Sequence, residues 1–244
     1  MTRMLASVVD DLELEMAIEA GADIIDLKNP RTGALGALPM ALIRGLTARS
    51  AGRRPVSATV GDLPADPVRL TEAIRRTAAC GVDYVKVGFF HNDNLAECLR
   101  AIATLTQRHD VVAVLFADRD PPLERLGEFA AAGFRGVMLD TAGKGGGRLL
   151  QHLGATRLGH FVAETRALGM LSGLAGSLRL QDIPHLLPLA PDYLGFRGAL
   201  CEQGERTAGI APQRLREIRD ALSPSPLHGD RAAARTGVCG RTAP

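Results

Sequence analysis

A (β/α)8 barrel is the fold this sequence predicts, and three observations predict it. Short apolar runs rich in β-branched residues alternate with longer amphipathic stretches along most of the chain. Eight such runs begin roughly 20 to 35 residues apart, each with a helix-like stretch behind it, which is the rhythm of a (β/α)8 barrel. The first run leads into Val9-Asp10-Asp11. An open doubly wound sheet, the runner-up, usually carries a GxGxxG turn there.

Taken in order, residues 4–9 read as the first strand, and Asp10-Asp11 caps a helix over 12–20 that Gly21 stops. The second strand, 23–28, breaks into Asn29-Pro30 and a Gly-rich loop. Helices over 39–50 and 67–80 each open with Pro, a residue suited to the first helical position, and flank a strand at 56–60. Strands at 83–89, 111–117 and 136–140 are followed by helices over 94–108, 121–132 and 156–168. Strands at 170–174 and 193–196 precede helices over 180–187 and 212–222. Residues 1–222 thus make one catalytic-sized barrel domain, and the aperiodic, Pro/Gly/Ala/Arg-rich stretch 223–244 reads as a disordered tail.

Composition excludes several function classes. With 244 residues, 46% of them hydrophobic, the chain can bury a full core. A net charge of +2, no Trp and two Tyr give no footprint for nucleic acid, and no apolar run approaches a membrane span. The four Cys form no CxxC and no zinc spacing with the six His, so neither metal nor cofactor is expected. Reduced cysteines and the lack of a signal-peptide pattern point to the cytoplasm.

The basic residues are more informative. Of 29, only Lys28, Lys86 and Lys144 are lysine, and each follows a strand-like run. An amine can lose its proton when desolvated and attack a carbonyl, which guanidinium does not do. Active sites of such barrels lie at the C-terminal strand ends. Those ends gather Asp26 and Lys28 from strand 2, Lys86 from strand 4, Asp118 from strand 5 and Asp140 from strand 6, with Lys144 on the next loop. Side-chain alternation puts Asp26 with Lys28, and Tyr84 with Lys86 and Gly88, on shared faces. An ion pair at a sheet edge would account for Asp26 and Lys28, and an ion-paired core lysine for Lys86, taken singly. As a set they are the equipment of an imine-forming aldolase or dehydratase. Neighbouring ammonium groups and burial free one amine to attack, and the aspartates hold the other.

Small residues after the last two strands, Gly173, Gly176 and Ser177, then Gly195, Arg197 and Gly198, read as a phosphate-binding pair of turns. Plain tight turns are the alternative. The loop GKGGG at 143–147 lacks the Ser or Thr of a nucleotide P-loop, and His91 is the one histidine near the mouth.

The segments DIIDLKNPRTGALGA, DYVKVGFF, MLDTAGKGGGRLL, LSGLAGSL and DYLGFRGALC resemble the (5-formylfuran-3-yl)methyl phosphate synthase family, also called 4-(hydroxymethyl)-2-furancarboxaldehyde-phosphate synthase, over about residues 3–222. The resemblance implies a barrel enzyme of methanofuran-type cofactor biosynthesis. It would condense two molecules of glyceraldehyde 3-phosphate into a furan aldehyde phosphate, with loss of one phosphate and two waters. It places the Schiff-base lysine on Lys28, the proton acceptor on Lys86, a third active-site lysine on Lys144, and aspartates on Asp26 and Asp140. The expected partner is a small triose phosphate; self-association is left open. Two other readings stand beside it, a class I aldolase of the deoxyribose-phosphate type and a non-catalytic barrel that binds a phosphorylated metabolite.

Overall fold

A computed structural model of the chain describes residues 1–90, 94–143 and 146–223. Eight parallel strands close into a barrel in the order β1 to β8, each bonded to its sequence neighbour and β8 back to β1. The strands are β1 (Arg3–Val8), β2 (Ile24–Leu27), β3 (Val56–Thr59), β4 (Tyr84–Phe89), β5 (Asp110–Phe116), β6 (Gly136–Asp140), β7 (Leu171–Leu174) and β8 (Tyr193–Phe196). Each starts and ends within one residue of its predicted bounds, because buried parallel strands are continuous apolar runs punctuated by turn residues.

The helices match their signals less uniformly. Asp10 caps α1 (Asp11–Glu19) by accepting from Glu13 N at 2.9 Å, and Asp66 caps α3 (Pro67–Ala78) in the same way through Arg69 N at 2.8 Å. Pro39 is the residue before α2 (Met40–Ser50), with extended ψ, and not its first helical residue. The helix α4 (Leu95–Thr106) is continuous, but the predicted helix 121–132 divides into a 3-10 turn, Leu123–Arg125, and a short α5 (Leu126–Ala131). The segment 180–187 divides further, into 3-10 turns on either side of a four-residue α8 (Ile183–Leu186). Pro184 and Pro188 lack the N–H donors that a continuous helix needs. A one-turn helix, α6 (Leu149–His152), precedes α7 (Ala155–Ala167) and carries no periodic signal. The last helix, α9 (Pro212–Leu222), ends at the predicted boundary. Among the described residues no helix is long and apolar enough to cross a membrane.

Two apolar layers hold the molecule together. The larger lies between strands and helices and includes Leu14, Ile43, Ile74, Ile102, Phe129 and Leu215. The smaller fills the barrel itself with Leu5, Ile24, Val112, Val114, Met138 and Tyr193. Gly173 makes the second layer possible, since a Cβ there would overlap the Tyr193 ring.

The Gly-rich loop after β2 folds inward over one half of the mouth. Ala34 and Leu35 are buried with Phe116, and Phe90 stacks on Phe116 with ring centroids 4.2 Å apart. Asp62 holds this loop by accepting from Ala34 N at 2.8 Å and Leu35 N at 2.6 Å. Gly33, at φ +108°, gives that carboxylate room, as a side chain there would occupy its position. Leu35, Phe90 and Phe116 thus form an apolar patch around Gly88 of β4.

Candidate active site

Strand register explains why the charges meet. Asp26 lies level with Ser7 on β1 and Ser57 on β3. Both hydroxyls donate to it, Ser7 Oγ to Oδ2 at 2.8 Å and Ser57 Oγ to Oδ1 at 2.7 Å. Lys86 is one residue beyond Val85 on β4 and reaches across β3, putting Nζ 3.0 Å from Asp26 Oδ1. Asp26 and Lys86 are 0% and 2% exposed, so this is an ion pair removed from water. Lys28 follows the last residue of β2, with its backbone N bonded to Val8 O, and its Nζ donates to Asp140 Oδ2 at 3.4 Å. Asp140, the last residue of β6, also accepts from Thr141 N at 2.7 Å.

The two lysines sit in different electrostatic surroundings. Burial pushes the Lys86 amine below the ordinary lysine value; Asp26 opposes this and Lys28 adds to it. Burial by itself would raise the Asp26 carboxyl, yet the charges of Lys86 and Lys28 and the Ser57 hydroxyl hold it below its usual range. Asp26 thus stays an anion, and it keeps next to it an amine more easily deprotonated than a surface lysine.

These groups form the floor of a cavity of about 1430 Å³ lined by Ser7, Asp26, Lys28, Lys86, Met138 and Asp140. Its wall includes Gly176, Ser177, Gly195 and Gly198, from the turns after β7 and β8. Gly176 has φ +102°, and its Cβ would press on Thr141. Gly195 is small for a packing reason, because a Cβ would come within 2.8 Å of Met138 Cε.

Three expectations need correction. Gly173 does not offer its backbone to a phosphate; its small size accommodates Tyr193. Arg197 does not offer a guanidinium either. Its Nε donates to Arg206 O (2.8 Å), Nη1 to Ser7 O and Glu13, and Nη2 to Glu13 and Ala208 O, which uses all five N–H groups. Buried against Glu13, it is a strut. Asp118 accepts from Ala142 N at 2.8 Å and Gly143 N at 2.7 Å, so it ties down the start of the loop after β6 and does not face the reacting groups. Lys144 and His91 lie outside the described residues.

Sequence pattern does not mark Ser7, Ser57 or Arg206 as site residues. The two serines break otherwise apolar strands, the one available signal, and Arg206 is hidden by the abundance of arginine.

With this geometry in view, comparison with known proteins decides the family. The family model for 4-HFC-P synthase matches residues 4–219. The chain belongs to this family. A (5-formylfuran-3-yl)methyl phosphate synthase from Methanopyrus kandleri is 38% identical over 234 residues, covering 91% of this chain and 99% of the relative. One from Methanocaldococcus jannaschii is 36% identical, over 89% and 98% of the two chains. A relative from Methylorubrum extorquens reaches 42% over 92% and 93%. Among solved structures, phosphoribosyl anthranilate isomerase from Thermotoga maritima superposes with TM-score 0.67 at 11% identity, covering 91% of this chain and 98% of that one. 3-Hexulose-6-phosphate synthase does so with TM-score 0.59 at 21%, covering 90% and 100%. At these identities the two structures speak for the fold alone.

Proposed function

We propose that this family member is a (5-formylfuran-3-yl)methyl phosphate synthase that works through an imine on Lys28. Two glyceraldehyde 3-phosphate molecules would give one furan aldehyde monophosphate, one inorganic phosphate and two waters, a balance that needs no oxidant or reductant. The observation that carries the reading is the pairing of Lys28 with Asp140 and Lys86 with Asp26 on the floor of one large cavity.

In this reading, Lys28 Nζ, having passed its proton towards Asp140, attacks the carbonyl carbon of one triose, and water leaves as the imine forms. The imine acidifies the adjacent C–H. Lys86, in the neutral form that burial favours, takes that proton and leaves an enamine. Asp26 then neutralises the ammonium on Lys86, and Ser7 and Ser57 keep Asp26 in place as the charge moves. The enamine carbon attacks the second triose; phosphate loss, ring closure and dehydration complete the furan, and water releases Lys28. Family resemblance adds Lys144 as a third participant.

The test is mass spectrometry of the products formed from glyceraldehyde 3-phosphate without added cofactor. A furan aldehyde monophosphate with equimolar phosphate is the expected result, and borohydride should trap a triose adduct on Lys28. Lys28→Arg keeps the charge but removes the nucleophile. Full activity in that variant would sink the imine role. A hexose bisphosphate product would replace the synthase by an aldolase.

A further inference from the structure

The proposed reaction brings two phosphate esters into one cavity, and Arg197, the cation nearest the predicted phosphate turns in sequence, is occupied by Glu13. The other arginines lining the cavity differ in how they are satisfied. Arg148 pairs with Asp182 at 2.8 Å, and Arg214 with Glu217 at 3.1 Å. Arg179 is exposed to water. Arg206 is only partly exposed, and no ion pair among the described residues includes it. Its one side-chain hydrogen bond among those residues runs from Nη2 to Gly33 O at 3.0 Å, which leaves Nε and Nη1 without an acceptor among the described residues.

A half-buried guanidinium with no carboxylate at ion-pair distance among the described residues is costly unless an anion completes it. The backbone beneath it is fixed. Arg197 Nε donates to Arg206 O and Arg197 Nη2 to Ala208 O, and a Cβ at Gly198 would come within 3.1 Å of Gly204 O. The buried Glu13–Arg197 pair therefore immobilises the loop that presents Arg206. Burial draws the Arg206 guanidinium below the usual arginine value; the nearby Asp140 opposes this, as does Asp62. Arg206 lines the same cavity as Lys28 and Asp140, and Lys28 Nζ donates to Asp140 there.

We infer that Arg206 is a phosphate-binding residue, its free Nε and Nη1 gripping the phosphate monoester of the triose held on Lys28. The inference deepens the synthase reading and rests on it for the identity of the triose, but its test does not require turnover. Two parallel N–H bonds suit phosphate as they suit carboxylate. Because the guanidinium is already anchored at Gly33 O, it stays poised while the ligand is absent.

The alternative is that Arg206 only ties the loop after β8 to the loop after β2. Arg31 makes a comparable tie, Nη2 to Thr207 O at 3.4 Å, but does not line the large cavity. Calorimetric titration of the full chain with glycerol 3-phosphate, which has the phosphate monoester and no carbonyl, separates the two. Arg206→Gln should weaken binding about 10-fold or more, the loss of two charge-assisted bonds. Arg206→Lys should fall between, and Arg31→Gln should stay within about 2-fold of wild type by the same reckoning. Equal affinity in wild type and Arg206→Gln, no binding by wild type, or an equal loss in Arg31→Gln would overturn the inference. A wild type that binds the ester through Arg206 yet makes no furan aldehyde would end the synthase reading and leave the phosphate site standing.

Discussion

Replacing Asp26 by Asn tests the electrostatic core of the site. The carboxylate is fully buried, 3.0 Å from Lys86 Nζ, and it accepts two serine hydroxyls. At that distance the attraction between unit charges is about 5–6 kcal/mol with an effective dielectric near 20, before desolvation is subtracted. Removing one partner of a buried pair typically costs about 3–5 kcal/mol, because the remaining charge is stranded. For a chain of this length that is a fall in melting temperature of roughly 6–20 °C. The variant can avoid part of this cost by releasing the Lys86 proton. Burial already depresses this amine, and the Asp26 charge is the strongest force opposing the depression, so its loss lowers the folded value further. Between that lowered value and the ordinary lysine range, the unfolded chain binds more protons than the folded one, and stability rises with pH. Thermal unfolding of wild type and Asp26→Asn at pH 6 and pH 9.5 should therefore show a wide gap that narrows at the higher pH. A gap that is the same at both, or under about 1 kcal/mol at pH 6, would refute the claim that Asp26 holds a buried cation.

Three further outcomes are expected. Ser57→Ala removes a donor that helps keep Asp26 ionised against burial. The folded carboxyl is depressed, so its stabilisation is present above the unfolded value and lost as pH falls. Acid unfolding of the variant should begin at higher pH, with about 1.5–3 kcal/mol lost near neutrality. Gly173→Ala should lose about 1–3 kcal/mol through overlap with Tyr193, and the double variant Gly173→Ala/Tyr193→Leu should recover part of it in a thermodynamic cycle. Glu13→Gln strands the buried Arg197 at a cost of about 3–5 kcal/mol, and limited proteolysis should then cut within 202–209 faster than in wild type.

Much of this protein is determined by sequence pattern alone. Strand spacing and apolar continuity are local properties, and they specify eight strands to within a residue because buried parallel strands tolerate little else. Lys28 and Lys86 stand out among so many arginines for a similarly local reason, since Lys28 directly follows the apolar run of β2 and Lys86 lies within that of β4. Helices made of short turns were less legible, because Pro184 and Pro188 break a pattern whose apolar spacing still looks helical. The roles of glycine and arginine near the mouth were decided only by tertiary structure. Gly173 reads as a phosphate turn until Tyr193, on the neighbouring strand, is seen to fill its space. Arg197 reads as an anion-binding residue until Glu13, 184 residues earlier, takes its charge. Arg206 looks like any surface arginine until its loop is folded over the barrel. A side chain's chemistry is intrinsic to the residue, but the partner that satisfies it comes from distant parts of the chain, and only closure of the barrel selects that partner.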